Sequence, residues 1–139
     1  MHLAQILAGV DWIAVIAATI AAFILGAAWY SKALFGNAWM REVGLTEEAI
    51  NSANMGKMFG GTFVLQILAA IALSAFLGES SNWMEGLHTG LWIGLFWVAT
   101  AYGVTYLFEQ RPFRLWLINA GYYVVLYALM GTIIGTLTG

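Results

Sequence analysis

Long apolar stretches separated by short polar segments dominate the hydropathy pattern of this chain. Four of them reach the roughly 20 residues that a helix needs to cross a bilayer, and they cover about residues 11–30, 58–77, 86–108 and 113–137. Each stretch is apolar on all sides, whereas a barrel strand alternates, and in lipid a lone segment satisfies its backbone groups only as a helix. The pattern predicts an all-α, polytopic membrane protein with four transmembrane helices in one bundle, a single domain over residues 1–139.

The basic residues all lie on one side of this predicted bundle. Lys32, Arg41 and Lys57 lie between the first two spans, and Arg111 and Arg114 lie between the last two. Cytoplasmic loops of membrane proteins carry the excess of Lys and Arg. The sequence therefore predicts that both termini lie outside and that the two basic loops face the cytoplasm.

Helix-start signals divide the first part of the chain. Asp11 is a typical N-cap residue, which favours a short interfacial helix in residues 1–10 over an extension of the first span. Thr46 followed by Glu47 and Glu48 marks another helix start, because acidic groups favour the positive end of a helix. We expect a short amphipathic segment there, within the first cytoplasmic loop.

Composition narrows the functional classes. The chain is 62% hydrophobic and 9% charged and carries a net charge of −2, so nucleic acid is not an expected partner. The absence of cysteine excludes disulfides, thiolate metal sites and cysteine nucleophiles. No phosphate loop, nucleophile elbow or catalytic carboxylate pair is present, and neither an enzyme nor a cofactor is predicted. The expected partners are the lipid bilayer, further copies of the chain in a homo-oligomer, and other membrane proteins.

Aromatic and glycine positions at the span ends and in the second half form a recognisable pattern. They are Asp11-Trp12, Gly26, Trp29-Tyr30, Leu34-Phe35-Gly36, Trp39-Met40, Gly90, Phe96-Trp97, Phe108-Glu109, Arg111 and Ala120-Gly121-Tyr122. With them the chain resembles the family of small bacterial membrane proteins called domain of unknown function 1761, over nearly all of its length after residue 10. The resemblance implies a four-span bundle without a settled activity. We expect the protein to lie in the bacterial inner (plasma) membrane as a multi-pass protein.

Glycines spaced four apart mark the last two spans. They are Gly86, Gly90 and Gly94 in the third span and Gly131 and Gly135 in the fourth. Small residues at this spacing let helix backbones approach closely in lipid. We expect these glycines to pack the helices of one chain together, with a dimer interface as the alternative.

Three polar residues fall at one depth in three different spans. Counted at 1.5 Å per residue, Gln66, Thr100 and Asn119 all lie about 9–12 Å from the cytoplasmic boundary. Polar groups inside a membrane are costly and often functional. One hypothesis is a polar site for a solute or ion, and the other is an interhelical clamp of hydrogen bonds.

A second polar group is predicted at the opposite boundary. Asp11 and His88 fall at similar depth, with Glu79 and Glu85 in the adjacent loop. Such a group can relay protons or bind a metal, but the spacing matches no ligand motif, so no metal site is predicted. The alternative is a helix cap with interfacial hydration.

Three functional classes follow from these features. The lack of buried charge favours a structural or accessory component of an oligomeric membrane assembly. The alternative is a small solute or ion transporter or channel, with its polar site at Gln66, Thr100 and Asn119. A membrane enzyme comes third, and only a metal at the edge formed by Asp11 and His88 would favour it.

Overall fold

The computed structural model describes residues 2–79 and 81–138, and the regular structure of these residues is helical. The elements are α1 (Leu3–Ala8), α2 (Trp12–Trp29), α3 (Gly36–Val43), α4 (Glu47–Asn51), α5 (Met55–Leu77), α6 (Trp83–Ile93), a π-helical segment (Gly94–Ala99), α7 (Thr100–Phe108) and α8 (Phe113–Thr138). Helix α6, the π-helical segment and α7 run on as one span, and α2, α5 and α8 are the other three. The prediction of an all-α, four-span protein is confirmed.

Side-chain caps set where the first three spans begin. The carboxylate of Asp11 and the amide oxygens of Asn54 and Asn82 each accept a hydrogen bond from the backbone N–H three residues further along. Because such a cap satisfies a free amide at a helix start, the second span begins at Met55 and the third at Trp83. Both begin three residues before the apolar stretches that were read from the sequence.

Short helices flank the first span at both ends. Helix α1 ends at Ala8, and α2 begins after Asp11, so the structure keeps the N-terminal segment separate from the first span. Helix α4 starts at the predicted Thr46 cap, whose hydroxyl accepts from the Ala49 amide at 3.0 Å. Helix α3 ends at Gly44, where a φ of 77° requires the left-handed backbone that glycine adopts freely.

Helix α8 is the centre of the bundle. It packs against α6 and the π-helical segment on one side and against α2 on the other, while α5 packs mainly on α2. The core between α2, α5 and α8 is built from small and branched side chains. Its most deeply buried members are Ala14, Val15, Ala18, Ala22, Ala70, Leu73, Leu126, Met130 and Ile134.

The outward faces of the spans are apolar and exposed. Ile13 is 78% exposed, Phe76 66% and Leu107 80%, and similar side chains cover all four spans. Such surfaces are stable against lipid chains and costly in water. The chain is therefore a multi-pass membrane protein, with its polar loops at the two ends of the bundle.

Candidate functional site

A cavity of about 770 Å³ opens between α2, α5, α7 and α8, at the end of the bundle that carries α3 and α4. Small-molecule sites in proteins are of about 300–1,000 Å³ and are mostly apolar, with a few polar groups that orient the ligand. This cavity has that character, because aromatic rings and apolar side chains form most of its walls. Gln66 on α5 and Asn119 on α8 are its polar groups within the spans, together with Thr62 and several tyrosine hydroxyls.

Gln66 lies deep in the wall of this cavity. Its side chain is on the inner face of α5, and the residue is only 7% exposed. Its amide makes no hydrogen bond to any residue of the described ranges 2–79 and 81–138. The amide is not among the buried polar atoms without a partner in the described part of the chain, so it is accessible from the cavity and available to water or to a ligand there.

Asn119 is hydrogen-bonded to two tyrosines from other spans. The Tyr30 hydroxyl donates to Asn119 Oδ1 at 2.7 Å, and Asn119 Nδ2 donates to the Tyr106 hydroxyl oxygen at 2.8 Å. These two bonds connect the end of α2, α8 and α7. Because Tyr106 accepts in this chain of bonds, its own hydroxyl hydrogen is left for another acceptor.

The position of the Tyr106 ring is set from its outer side. The Arg111 guanidinium lies 5.7 Å from the ring centroid, within the range of a cation–π contact. Arg111 also donates to the Glu109 carboxylate at 2.6 Å, and this hydrogen bond raises the pKa of Arg111. The short loop between the third and fourth spans thereby holds Tyr106 against the cavity.

A continuous series of aromatic rings forms one wall of the cavity. Tyr30 contacts Trp39 edge-on at 5.7 Å and Tyr122 at 5.3 Å between ring centroids. Tyr122 then contacts Tyr123 at 5.0 Å, and Tyr123 stacks on Tyr102 at 5.3 Å. Offset and edge-to-face pairs at these distances are favourable, so the wall is a preformed aromatic surface.

The π-helical segment Gly94–Ala99 determines the direction of the tyrosine side chains that α7 contributes to this wall. Gly94 and Ala99 are both buried against α8, although they are five residues apart instead of the usual three or four. One extra residue has been taken up, and the helix beyond it is rotated accordingly. The rotation puts Tyr102 and Tyr106, on α7, towards the cavity.

Thr100 is not part of the cavity. The structure brings Gln66 and Asn119 together there, but the Thr100 side chain is exposed, and its hydroxyl donates at 2.6 Å to the Phe96 carbonyl of its own helix. The Trp116 indole donates to the neighbouring Ala99 carbonyl at 2.9 Å. Both groups thus bond carbonyls of the π-helical segment, where the regular hydrogen-bond ladder is interrupted.

An ion pair lies at the mouth of the cavity. Lys32 Nζ and Glu47 Oε1 are 2.6 Å apart, and both side chains are more than half exposed. Exposed pairs of this kind contribute little to stability. This ion pair therefore places charge only where the cavity opens to water.

The glycines of the third and fourth spans hold α6 against α8. Gly86 and Gly131 lie directly against each other, and Gly90 lies against the Tyr127 carbonyl. A Cβ atom would overlap backbone atoms of the facing segment at all five positions: Gly86, Gly90, Gly94, Gly131 and Gly135. The structure places these glycines at a contact within one chain.

The structure does not form the second predicted polar group. Asp11 caps α2, and its backbone N–H donates to the Ser74 hydroxyl at 3.3 Å. His88 is exposed and, among the residues described here, makes no hydrogen bond or ion pair to Asp11. It is two residues from both Gly86 and Gly90, so it lies on the opposite face of α6 and points away from α8. No cluster of three His, Asp or Glu side chains occurs in ranges 2–79 and 81–138.

Sequence reasoning missed the aromatic wall and the small residues that make room for it. Tyr122 reaches α2, where its hydroxyl donates to the Ala22 carbonyl at 3.2 Å and lies 3.1 Å from the position of a Cβ on Gly26. The available signal was the series Ala14, Ala18, Ala22 and Gly26, small residues at intervals of four along the first span.

The fold and the cavity define a multi-pass helical membrane protein with an aromatic-lined cavity that opens at one end of the bundle. The chain belongs to the family described as "Protein of unknown function (DUF1761)", which matches residues 13–135. The family resemblance seen in the sequence is therefore confirmed. Comparison with the curated proteins and with the solved structures finds no match to the chain.

Proposed function

We propose that this protein is a small solute carrier, which binds an organic molecule in the cavity and takes it up from the side of the basic loops. The observation that carries the proposal is Gln66, a residue on the inner face of α5 whose amide has no protein partner and is accessible from a cavity of ligand size. A polar group inside a membrane usually serves function when nothing in the protein satisfies it.

The arrangement argues against a simple interhelical clamp. In a clamp, the polar groups of facing helices bond to one another. Asn119 does so with two tyrosines, whereas Gln66 bonds to neither Asn119 nor those tyrosines. Gln66 thus remains available to bind a solute, whereas the hydrogen bonds of Asn119 fix two tyrosines of the cavity wall.

We further propose that the mouth of the cavity faces the cytoplasm of a bacterial inner membrane. Lys32, Arg41, Lys57, Arg111 and Arg114 all lie at the end of the bundle where the cavity opens. The positive-inside rule places such an end in the cytoplasm. The solute is then loaded from the cytoplasmic side.

A cysteine at the Gln66 position tests whether the cavity is open to water from this side. The natural chain has no cysteine, so Gln66→Cys carries a single thiol. We expect a charged, water-soluble methanethiosulfonate reagent to modify it in inverted membrane vesicles and not in intact cells, because thiolates react in water. The neighbouring Leu65, which is 70% exposed to lipid, supplies the control Leu65→Cys, which should stay unmodified.

Two exposed positions outside the spans mark the two sides. Asn37→Cys in α3 should react only in inverted vesicles, and Glu79→Cys should react in intact cells. Reaction of Asn37→Cys in intact cells would reverse the proposed orientation. If Gln66→Cys reacted no faster than Leu65→Cys from either side, the cavity would be closed to water and the carrier proposal would fail.

A separate observation favours an oligomeric role as a second candidate. Gly56 and Gly60 lie four apart on the exposed face of α5; at Gly60 no atom lies within 4 Å of an added Cβ, and at Gly56 only the Asn54 side chain does. Small residues at this spacing are the usual contact between membrane helices. If α5 pairs with a second copy, Gly60→Leu should shift the mass of the protein in native nanodiscs from dimer to monomer. An unchanged mass distribution would contradict this role for α5.

A further inference from the structure

We infer that the ligand of the cavity is an uncharged, flat aromatic molecule that carries a carbonyl-type hydrogen-bond acceptor. The inference rests on the proposed function and names the chemical class that the carrier would take. Three properties of the lining support it: its charge, its shape and the direction of its hydrogen bonds.

The lining carries no net charge to match a charged ligand. Among the lining side chains, the ionic groups are Lys32 and Glu47, which pair with each other at the mouth. Further in, the polar groups are amides and hydroxyls. Burying an ion without a counter-charge is far more costly than burying a neutral group. A ligand that enters the spans is therefore favoured when it is neutral.

The shape of the wall suits a flat ring. The centroids of Tyr30, Tyr122, Tyr123 and Tyr102 follow one another at 5.0–5.3 Å. Phe59 and Met58 line the cavity from α5. A planar aromatic molecule between these surfaces can stack on the tyrosines in the offset or edge-on geometry that aromatic rings prefer.

Two of the lining residues have hydrogen-bond donors that no described residue accepts. The bonds run from Tyr30 to Asn119 and from Asn119 to Tyr106, which leaves the Tyr106 hydroxyl hydrogen free. Gln66 adds two amide N–H donors and one acceptor. A ligand with carbonyl oxygens accepts from both residues, whereas a hydrocarbon of the same shape would leave them unsatisfied.

Saturable binding to the full-length protein in nanodiscs tests this class. The probe is radiolabelled 2-methyl-1,4-naphthoquinone, and empty nanodiscs correct for partition into lipid. The chain has no cysteine that the quinone could alkylate. Three competitors of similar size complete the set: N-methylquinolinium as the cation, 1,4-naphthoquinone-2-sulfonate as the anion, and 2-methylnaphthalene, which lacks the carbonyl groups.

We expect the neutral quinone to bind saturably and each competitor to bind at least about tenfold more weakly, the difference that a lost hydrogen bond or an unpaired charge produces. Tyr106→Phe and Gln66→Leu should each weaken quinone binding by about tenfold. Thr100→Val should leave it unchanged, because Thr100 is outside the cavity.

Equal or tighter binding of the cation, the anion or the hydrocarbon would overturn the assigned class. So would the absence of saturable binding by the quinone, or an equal loss of affinity in Thr100→Val. The proposed function fails on a different result, a thiol at Gln66→Cys that water-soluble reagents do not reach. If the Gln66→Cys thiol reacts and the cation binds tightly, the proposed carrier function stands and the proposed ligand class is wrong.

Discussion

Replacing Gly90 by leucine is expected to prevent the third and fourth spans from packing. A Cβ at this position would already overlap the backbone of Tyr127 and Ala128 on α8. Helix backbones cannot give way as a flexible side chain can, so the two helices must separate. We expect Gly90→Leu to lower the free energy of unfolding by about 3 kcal/mol or more, the upper range for overpacked sites. Thermal unfolding in detergent, followed by circular dichroism, measures the change.

Gly61 provides the matched control for this substitution. It lies on α5, where an added Cβ would meet no atom within 4 Å. The same change, Gly61→Leu, should leave stability unchanged or raise it by up to about 1 kcal/mol, because leucine has the higher helix propensity. Equal losses in Gly90→Leu and Gly61→Leu would show that the loss does not come from the contact between α6 and α8.

Removing Asn119 is expected to destabilise the protein, while removing Gln66 is not. Asn119→Leu keeps the size of the side chain but deletes two hydrogen bonds that join three spans. At the measured strength of such bonds in membranes, the loss should be about 1–2 kcal/mol. Gln66→Leu deletes no bond to a described residue, and the amide that it removes is accessible from the cavity, so stability should stay level.

The double variant separates the two explanations of this polar pair. If Gln66 and Asn119 act independently, the Gln66→Leu/Asn119→Leu variant should be as stable as Asn119→Leu alone, since the effects of independent sites add. A loss in Gln66→Leu as large as that in Asn119→Leu, combined with a double loss smaller than the sum, would restore the clamp hypothesis. Urea or thermal unfolding of the four proteins gives the comparison.

The spans were predictable because their signal is local. An apolar stretch of bilayer length folds as a helix whatever its neighbours are. The first residues of the spans were harder to predict. The apolar stretches begin only after Lys57 and Glu85, whereas the helices begin earlier, directly after their Asn54 and Asn82 caps. In both helices an asparagine lies three residues before the charged residue of the first turn. This pattern indicates a helix start, but a hydropathy profile does not detect it.

The cavity was only partly predictable, because the depth of a residue in the membrane does not determine the direction of its side chain. Counting residues places Gln66 and Asn119 at one level but does not say which way a side chain points. For Thr100, the π-helical segment adds a residue just before it and rotates the helix. For His88, direction was readable, because a residue midway between Gly86 and Gly90 must face away from their contact.

The aromatic wall depends on pairs that are far apart in the chain. Tyr30 and Tyr122 are separated by the whole of two spans, and Tyr102 meets Tyr123 only because α6 and α8 pack through glycine. Composition shows that many aromatic residues are present, and in membrane proteins most of them face lipid or its boundary. Only the packing of the bundle shows which of them line a cavity.

The central claim is that the cavity holds a small molecule through Gln66, and native mass spectrometry measures this directly. The protein is taken from its own membrane into nanodiscs without detergent, as wild type, Gln66→Leu and the control Thr100→Val. We predict that wild type and Thr100→Val each carry one bound small molecule of the same mass and that Gln66→Leu, although folded, carries at least about tenfold less of it, the loss expected for a hydrogen bond in a buried site. Equal occupancy in wild type and Gln66→Leu, or no bound molecule in any of the three, would contradict the account.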